Sequence, residues 1–202
     1  MIVEGKQKIW ADYQKDIPDD HYFYVRSCIR QSFFPASEVT FLDITRNKLG
    51  KDFYESAYHT TCGGIAYHSD SIPQETAMTI IARQFALMHE CGYENYVCSC
   101  ITSFGCYTET LETWHEFPEL EAKIRQYLWD SCKKEFAKPK YLAHASDIIY
   151  KFRHEIAKQA KYKLVNAKTG KPLKVVEHIG CHYSKMFPSK GFGGAEYPHV
   201  LA

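Results

Sequence analysis

Residues 73–100, PQETAMTIIARQFALMHECGYENYVCSC, carry the organisation of the chain in miniature. Ala77, Ile80, Ile81, Phe85 and Met88 recur at helical spacing and give one helix an apolar face. Pro73 stands near its start and Gly92 just past its end, where a helix is expected to stop. Tyr96-Val97 then reads as a short strand that runs directly into Cys98-Ser99-Cys100. A helix feeding a strand that ends in thiols is a step of an α/β domain, and in open α/β sheets ligand sites form just outside the carboxyl ends of the strands.

Upstream, residues 21–27 (HYFYVRS) are aromatic and β-branched, read as a strand, and deliver Cys28. Residues 38–44 (EVTFLDI) read as a second strand. Thr60-Thr61-Cys62-Gly63-Gly64 then marks a tight loop, expected to leave a strand. Downstream come Phe104-Gly105-Cys106-Tyr107 and two expected helices. One covers residues 118–136, with Leu120, Ile124, Leu128 and Cys132 on one stripe; the other covers 141–160, with Leu142, Ile149, Phe152 and Ile156 inward. Residues 161–172 read as a linker or hairpin tip. Residues 173–179 read as a further strand ending at Gly180-Cys181-His182-Tyr183.

The chain of 202 residues suits one sizeable α/β domain, or one domain and part of a second. With 25 basic and 24 acidic residues, it offers no electrostatic case for nucleic acid or an anionic membrane as partner. No stretch approaches the roughly 20 apolar residues of a membrane span. Residues 1–20 lack the apolar core of a signal peptide, so a cytoplasmic location is expected. Eight cysteines are too few for a small disulfide scaffold and many for a cytosolic enzyme. In a reducing compartment such thiols are more often ligands or redox groups than staples. Single buried cysteines also serve as small apolar residues, and Cys91 and Cys132, on or beside helical apolar faces, are read that way.

Cys28, the Cys98/Cys100 pair and Cys181 each follow an expected strand, and Cys62 lies in a glycine-rich loop. Such loops bring thiols together that are distant in sequence. A convergent thiolate set suits zinc or an iron–sulfur cluster. Structural zinc sites favour Cys-x-x-Cys knuckles. The spacings here, Cys98-x-Cys100 and Cys100 to Cys106, are not of that kind and lean toward a cluster.

Cys28, then Thr61-Cys62-Gly63, then Phe104-Gly105-Cys106-Tyr107 resembles the cysteine-rich CCG module. That module is a lone cysteine, a Cys-Cys-Gly, and a Cys-x-x-Cys. The stretch His178-Ile-Gly-Cys181-His-Tyr-Ser-Lys-Met-Phe-Pro188 resembles the opening of a second copy. Two tandem modules mark the heterodisulfide reductase B-subunit family. The resemblance covers about residues 21 to 202. It implies a Rossmann-like first half, residues 1–165, with a central sheet and flanking helices, and the start of a pseudo-symmetric second half, residues 166–202. It implies a [4Fe–4S] cluster, of an unusual non-cubane type in the family, that acts on a disulfide or thiol substrate. The implied partners are an iron–sulfur C subunit and, through it, a flavin-bearing A subunit.

The pattern departs from the family's at two places. Thr61 replaces the first cysteine of Cys-Cys-Gly, and Ser103 the first of Cys-x-x-Cys. Hydroxyls do not ionise near neutral pH and are poor replacements for thiolates. The ligand set carried over is Cys28, Cys62, Cys100 and Cys106, with Cys98 as substitute and Cys181 for the second site. Cys181 and His182 are the candidate catalytic pair. His59 and His68 flank the Cys62 loop and are candidates for hydrogen bonding near a cluster. An electron relay or scaffold that lost disulfide chemistry, and a zinc-binding structural protein, are the alternative readings.

Overall fold

The computed structural model describes residues 17–59, 62–161 and 165–174. Its centre is an all-parallel sheet of four strands: β1 (Tyr22–Val25), β2 (Phe53–Tyr54), β3 (Asn95–Cys98) and β4 (Tyr141–His144), in the order β2-β1-β3-β4. Between β1 and β2 lie α1 (Cys28–Phe33) and α2 (Pro35–Leu42), which runs into a π-helical segment, Asp43–Lys48. α3 (Gly64–His68) and α4 (Gln74–Glu90) lead to β3, and α5 (Ile101–Glu116) and α6 (Pro118–Cys132) lead to β4. α7 (Ala145–Lys151) and α8 (Arg153–Gln159) follow. The fold is Rossmann-like α/β, as the cysteine framework implied.

Every residue of β1 is buried, as expected when helices cover both faces of a parallel sheet. Alternation along the strand sends Phe23 and Val25 to one face and Tyr22 and Tyr24 to the other. Phe23 and Val25 join Tyr96, Phe85, Tyr107 and Trp114 in a cluster shared with α4, α5 and α6. Tyr22 and Tyr24 join Phe41, Phe53, Val97 and Ile148, under α2 and α7. Helices on two faces and a sheet between them make three layers.

Four expectations change. Residues 38–44 are helical, not a strand. Pro35 opens α2 at a position where its missing N–H costs nothing, and Phe41 is drawn under the sheet against Tyr24 and Phe53, with ring centroids 5.4 and 5.7 Å away. Residues 141–160 are not one helix: Tyr141–His144 pairs with β3 as the edge strand, and only then does α7 begin. The helix expected over 118–136 ends at Cys132, where Lys133 turns left-handed at φ 56°. The strand expected just before Cys62 is β2, which already ends at Tyr54. The hairpin reading of residues 161–172 agrees with an antiparallel bridge between Val165 and Pro172, closed through Gly170 at φ 66°. Nearly all of the strand expected over 173–179 lies outside the described residues.

His144 ends β4 and caps α7. Its Nδ1 accepts from the Ser146 amide at 3.3 Å, and its own amide donates to Asp147 at 2.9 Å. Burial, with Arg30 nearby, pushes its pKa from 6.5 down to about 3. The folded chain therefore keeps His144 neutral, while the unfolded chain takes up a proton below pH 6.5. The stability this secures is present above that pH and is lost as pH falls toward 3, by up to about 1.4 kcal/mol per unit. His144→Asn retains a capping side chain. Urea unfolding at pH 7, 6 and 5 is expected to show a shallower loss of stability in the variant; equal slopes would refute it.

Candidate functional site

The sheet order creates the site. The connection from β1 leaves toward β2 and that from β3 toward β4, so the chain diverges between β1 and β3. A crevice opens outside the carboxyl ends of two such strands. Val25 and Cys98 are the last paired residues of β1 and β3. Beyond them stand Ser27-Cys28 on one side and Ser99-Cys100 on the other, so both cysteine loops flank the switch point.

Cys28 is the first residue of α1, behind its cap Ser27, whose hydroxyl accepts from the Arg30 amide. Cys100 is the N-cap of α5. Cys106, in a segment to which the sequence reading assigns no element, lies in the second turn of α5, fully buried, with its thiol 3.2 Å from the Ser103 carbonyl. Cys62 precedes Gly63, whose φ of 77° turns the chain into α3. α3 packs closely on α5: a Cβ on Gly64 would stand 3.4 Å from the Cys106 sulfur and from the Ser103 backbone. That contact carries Cys62 to the start of α5. Cys62, Cys98 and Cys106 share one buried cluster, and Cys28 packs against it.

The thiols differ in character. Burial pushes Cys62 up, although the Ser103 hydroxyl and the Gly64 amide oppose it, and Cys28 and Cys100 lie within electrostatic reach. Burial raises Cys106 well above the ordinary thiol range, with Cys62 and Cys100 adding to it. Cys98 is raised likewise, by burial first; its sulfur lies 3.9 Å from the carbonyls of Cys100 and Ala143, on the β4 side. Cys100 moves the other way. Burial acts to raise it, but the hydroxyls of Ser27 and Ser103 and the amides at Ser103 and Thr102 outweigh that and hold it below the usual range. A helix N-terminus beside a thiol has this effect.

Ser103, read as a missing ligand, faces Cys62 and Cys100 and sits inside the constellation. Cys91 and Cys132 cap or end α4 and α6 against the core, away from the crevice. His59 lines a cleft of about 530 Å³ with Cys28, Arg26 and Glu55. Its Nε2 lies 2.7 Å from the Arg26 carbonyl, and burial lowers its pKa. His68 ends α3 edge-on to Tyr67. Thr61, Cys181 and His182 lie outside the described residues.

Among the described residues, no three His, Cys, Asp or Glu side chains close on a point where one metal ion would sit. A single zinc ion requires such closeness. In a cluster each thiolate takes a different iron, so the ligands stand around a body rather than a point. Cys62 lies within electrostatic reach of Cys28, Cys100 and Cys106, and Cys100 is biased toward thiolate; thiols of this kind fit the donor chemistry of a cluster.

Over 194 residues the sequence is 24% identical to the B subunit of the ferredoxin:CoB-CoM heterodisulfide reductase of Methanosarcina acetivorans. The match covers 93% of this chain. The similarity to a heterodisulfide reductase B subunit is distant. The chain spans 60% of the length of that archaeal protein. No protein-family model matches it. No helix among the described residues is long and apolar enough to cross a membrane.

Sequence reasoning missed Glu38, Ser27 and Ser99. Glu38 is buried and accepts from the Ser27 amide at 2.9 Å and the Ser99 hydroxyl at 3.1 Å. No signal in the sequence marked it, because its partners lie on two separate loops.

Proposed function

We propose that the chain is the iron–sulfur subunit of a heterodisulfide-reductase-like complex, with Cys28, Cys62, Cys100 and Cys106 holding a [4Fe–4S] cluster. The convergence of these four residues on the β1/β3 switch point supports the reading most. Their order along the chain agrees with the family's module. When bound, the cluster supplies one-electron steps; reducing a disulfide to two thiols takes two electrons and two protons. The chain's own residues hold and tune that centre. Backbone amides at the start of α5 favour negative sulfur. Burial of Cys62 and Cys106 keeps water from their sulfurs. The cleft beside Cys28 gives a sulfur substrate an approach, and Arg26 and His59 on its wall orient it.

The substrate is a disulfide or thiol, and the partners are C-type iron–sulfur and A-type flavin subunits in the cytoplasm. A second module beginning near residue 166 uses Cys181 and His182 as its catalytic pair. Anaerobic purification is expected to yield brown protein with about four irons and sulfide. Protein that stays colourless after reconstitution with iron and sulfide sinks the reading.

Ser103 favours a second version, in which the subunit relays electrons without disulfide chemistry. Its hydroxyl stands among the thiols where the family carries a cysteine. Incubating the oxidised protein with thiols and recording EPR separates the two. A thiol-induced signal supports chemistry at the centre, and an unchanged signal supports the relay.

A further inference from the structure

We propose that Glu38 is a positioning residue that clamps the two cysteine loops together and whose carboxylate charge sets the electron affinity of the centre they hold. The proposal rests on the cluster reading above for its second half only. β1 and β3 hold each other by ladder bonds as far as Val25 and Cys98. Past that pair no strand contact joins the loops, and Glu38 bridges them. From α2 its Oε1 takes the Ser27 amide, one residue before Cys28, and the Ser99 hydroxyl, between Cys98 and Cys100. Ser99 in turn accepts from the Tyr24 hydroxyl at 2.8 Å, so the chain of bonds is anchored in β1. The Ser27 hydroxyl also lies near enough to Cys100 to lower its pKa.

Glu38 is only 5% exposed. A buried carboxylate is costly unless hydrogen-bonded, and an apolar residue in its place would fill the space without that cost. What an apolar residue lacks is the ability to fix two loops in one geometry, which fully bonded buried polar groups do. A fixed negative charge this close to both cysteine loops also opposes the arrival of electrons, since it destabilises the reduced, more negative state.

Glu38→Gln and Glu38→Ala in the full chain separate the two roles. Glutamine keeps an oxygen that accepts from both donors and removes the charge; alanine removes both. In protein prepared without iron, hydrogen exchange at the Ser27 amide is expected to speed at least tenfold in Glu38→Ala and to stay near wild type in Glu38→Gln. After anaerobic reconstitution, Glu38→Gln is expected to bind iron as wild type does. Its midpoint potential is expected to rise by an amount worth about tenfold in the one-electron equilibrium, about 59 mV. Unchanged exchange in Glu38→Ala overturns the clamp. An unchanged potential in Glu38→Gln overturns the electrostatic half. If Glu38→Ala does not fold, Ser99→Ala removes the hydroxyl bridge alone, and the Cys100 amide must then exchange faster for the clamp to stand. A wild-type chain that takes up no iron defeats the cluster reading, and the exchange result still decides the clamp.

Discussion

Cys62→Ala and Cys106→Ala are each expected to cost at least about 100-fold in retention of iron. Residues that merely support a ligand typically cost roughly 10–100-fold when lost, and a ligand should exceed them. Both side chains are buried and small, so alanine leaves only a minor cavity, and circular dichroism should report an unchanged fold. Cys98→Ala is the informative contrast. Its sulfur lies 3.9 Å from the carbonyls of both Cys100 and Ala143, in the interior beside β4. Cys100, by contrast, is held toward thiolate at the head of α5. Iron analysis is therefore expected to place Cys98→Ala near wild type and Cys100→Ala with the ligand variants. Full iron in Cys62→Ala or Cys106→Ala would remove those residues from the site, and an iron-free Cys98→Ala would exchange the two candidates. Cys132→Ser, at the end of α6, serves as the neutral control.

Phe85→Ala is expected to destabilise the fold by about 3–5 kcal/mol, the usual range for deleting a buried aromatic ring. Phe85 is completely buried on α4 and meets three rings at once. Its ring centroid lies 5.1 Å from Tyr96 on β3, and 5.9 and 6.3 Å from Tyr107 and Trp114 on α5. The ring thus joins the elements before and after the second cysteine loop, and its removal loosens the layer on which Cys106 sits. A fall in Tm on the order of 10 °C follows for a chain of this size. Urea and thermal unfolding measure it. A loss under about 1 kcal/mol would show that the layer closes over the gap. Trp129, 45% exposed on α6, should lose far less on truncation.

The elements legible in the sequence were those whose signals are local. β1 announced itself through HYFYV, α4 through its apolar face between Pro73 and Gly92, and β3 through its place after that glycine. α2 was misread because Val39, Thr40 and Phe41 favour strands, whereas its fate is decided by Pro35 and by the burial of Phe41 under Tyr24. β4 was absorbed into a helix because Leu142 falls in step with Ile149, Phe152 and Ile156; only its pairing with β3 reveals it. α5 was passed over because Gly105 and four Thr residues weaken a helical signal that burial against the sheet then overrides. The candidate thiols were singled out by residue type and order. The groups that hold them, Ser27, Ser99 and Glu38, were not, since their meaning lies in contacts between loops far apart along the chain.

The direct pairing of Val25 with Cys98 also has a consequence for how the protein is made. Residues 26 to 97 must be synthesised and looped back before the two strand ends meet, and such non-local closures are slow. During translation Cys28 and Cys62 emerge first and wait, reduced and unshielded, for the ribosome to release Cys100 and Cys106. On the proposed cluster reading, iron delivery would be a late event in the life of the nascent chain, and oxygen or a stray disulfide arriving in that interval would compete with it.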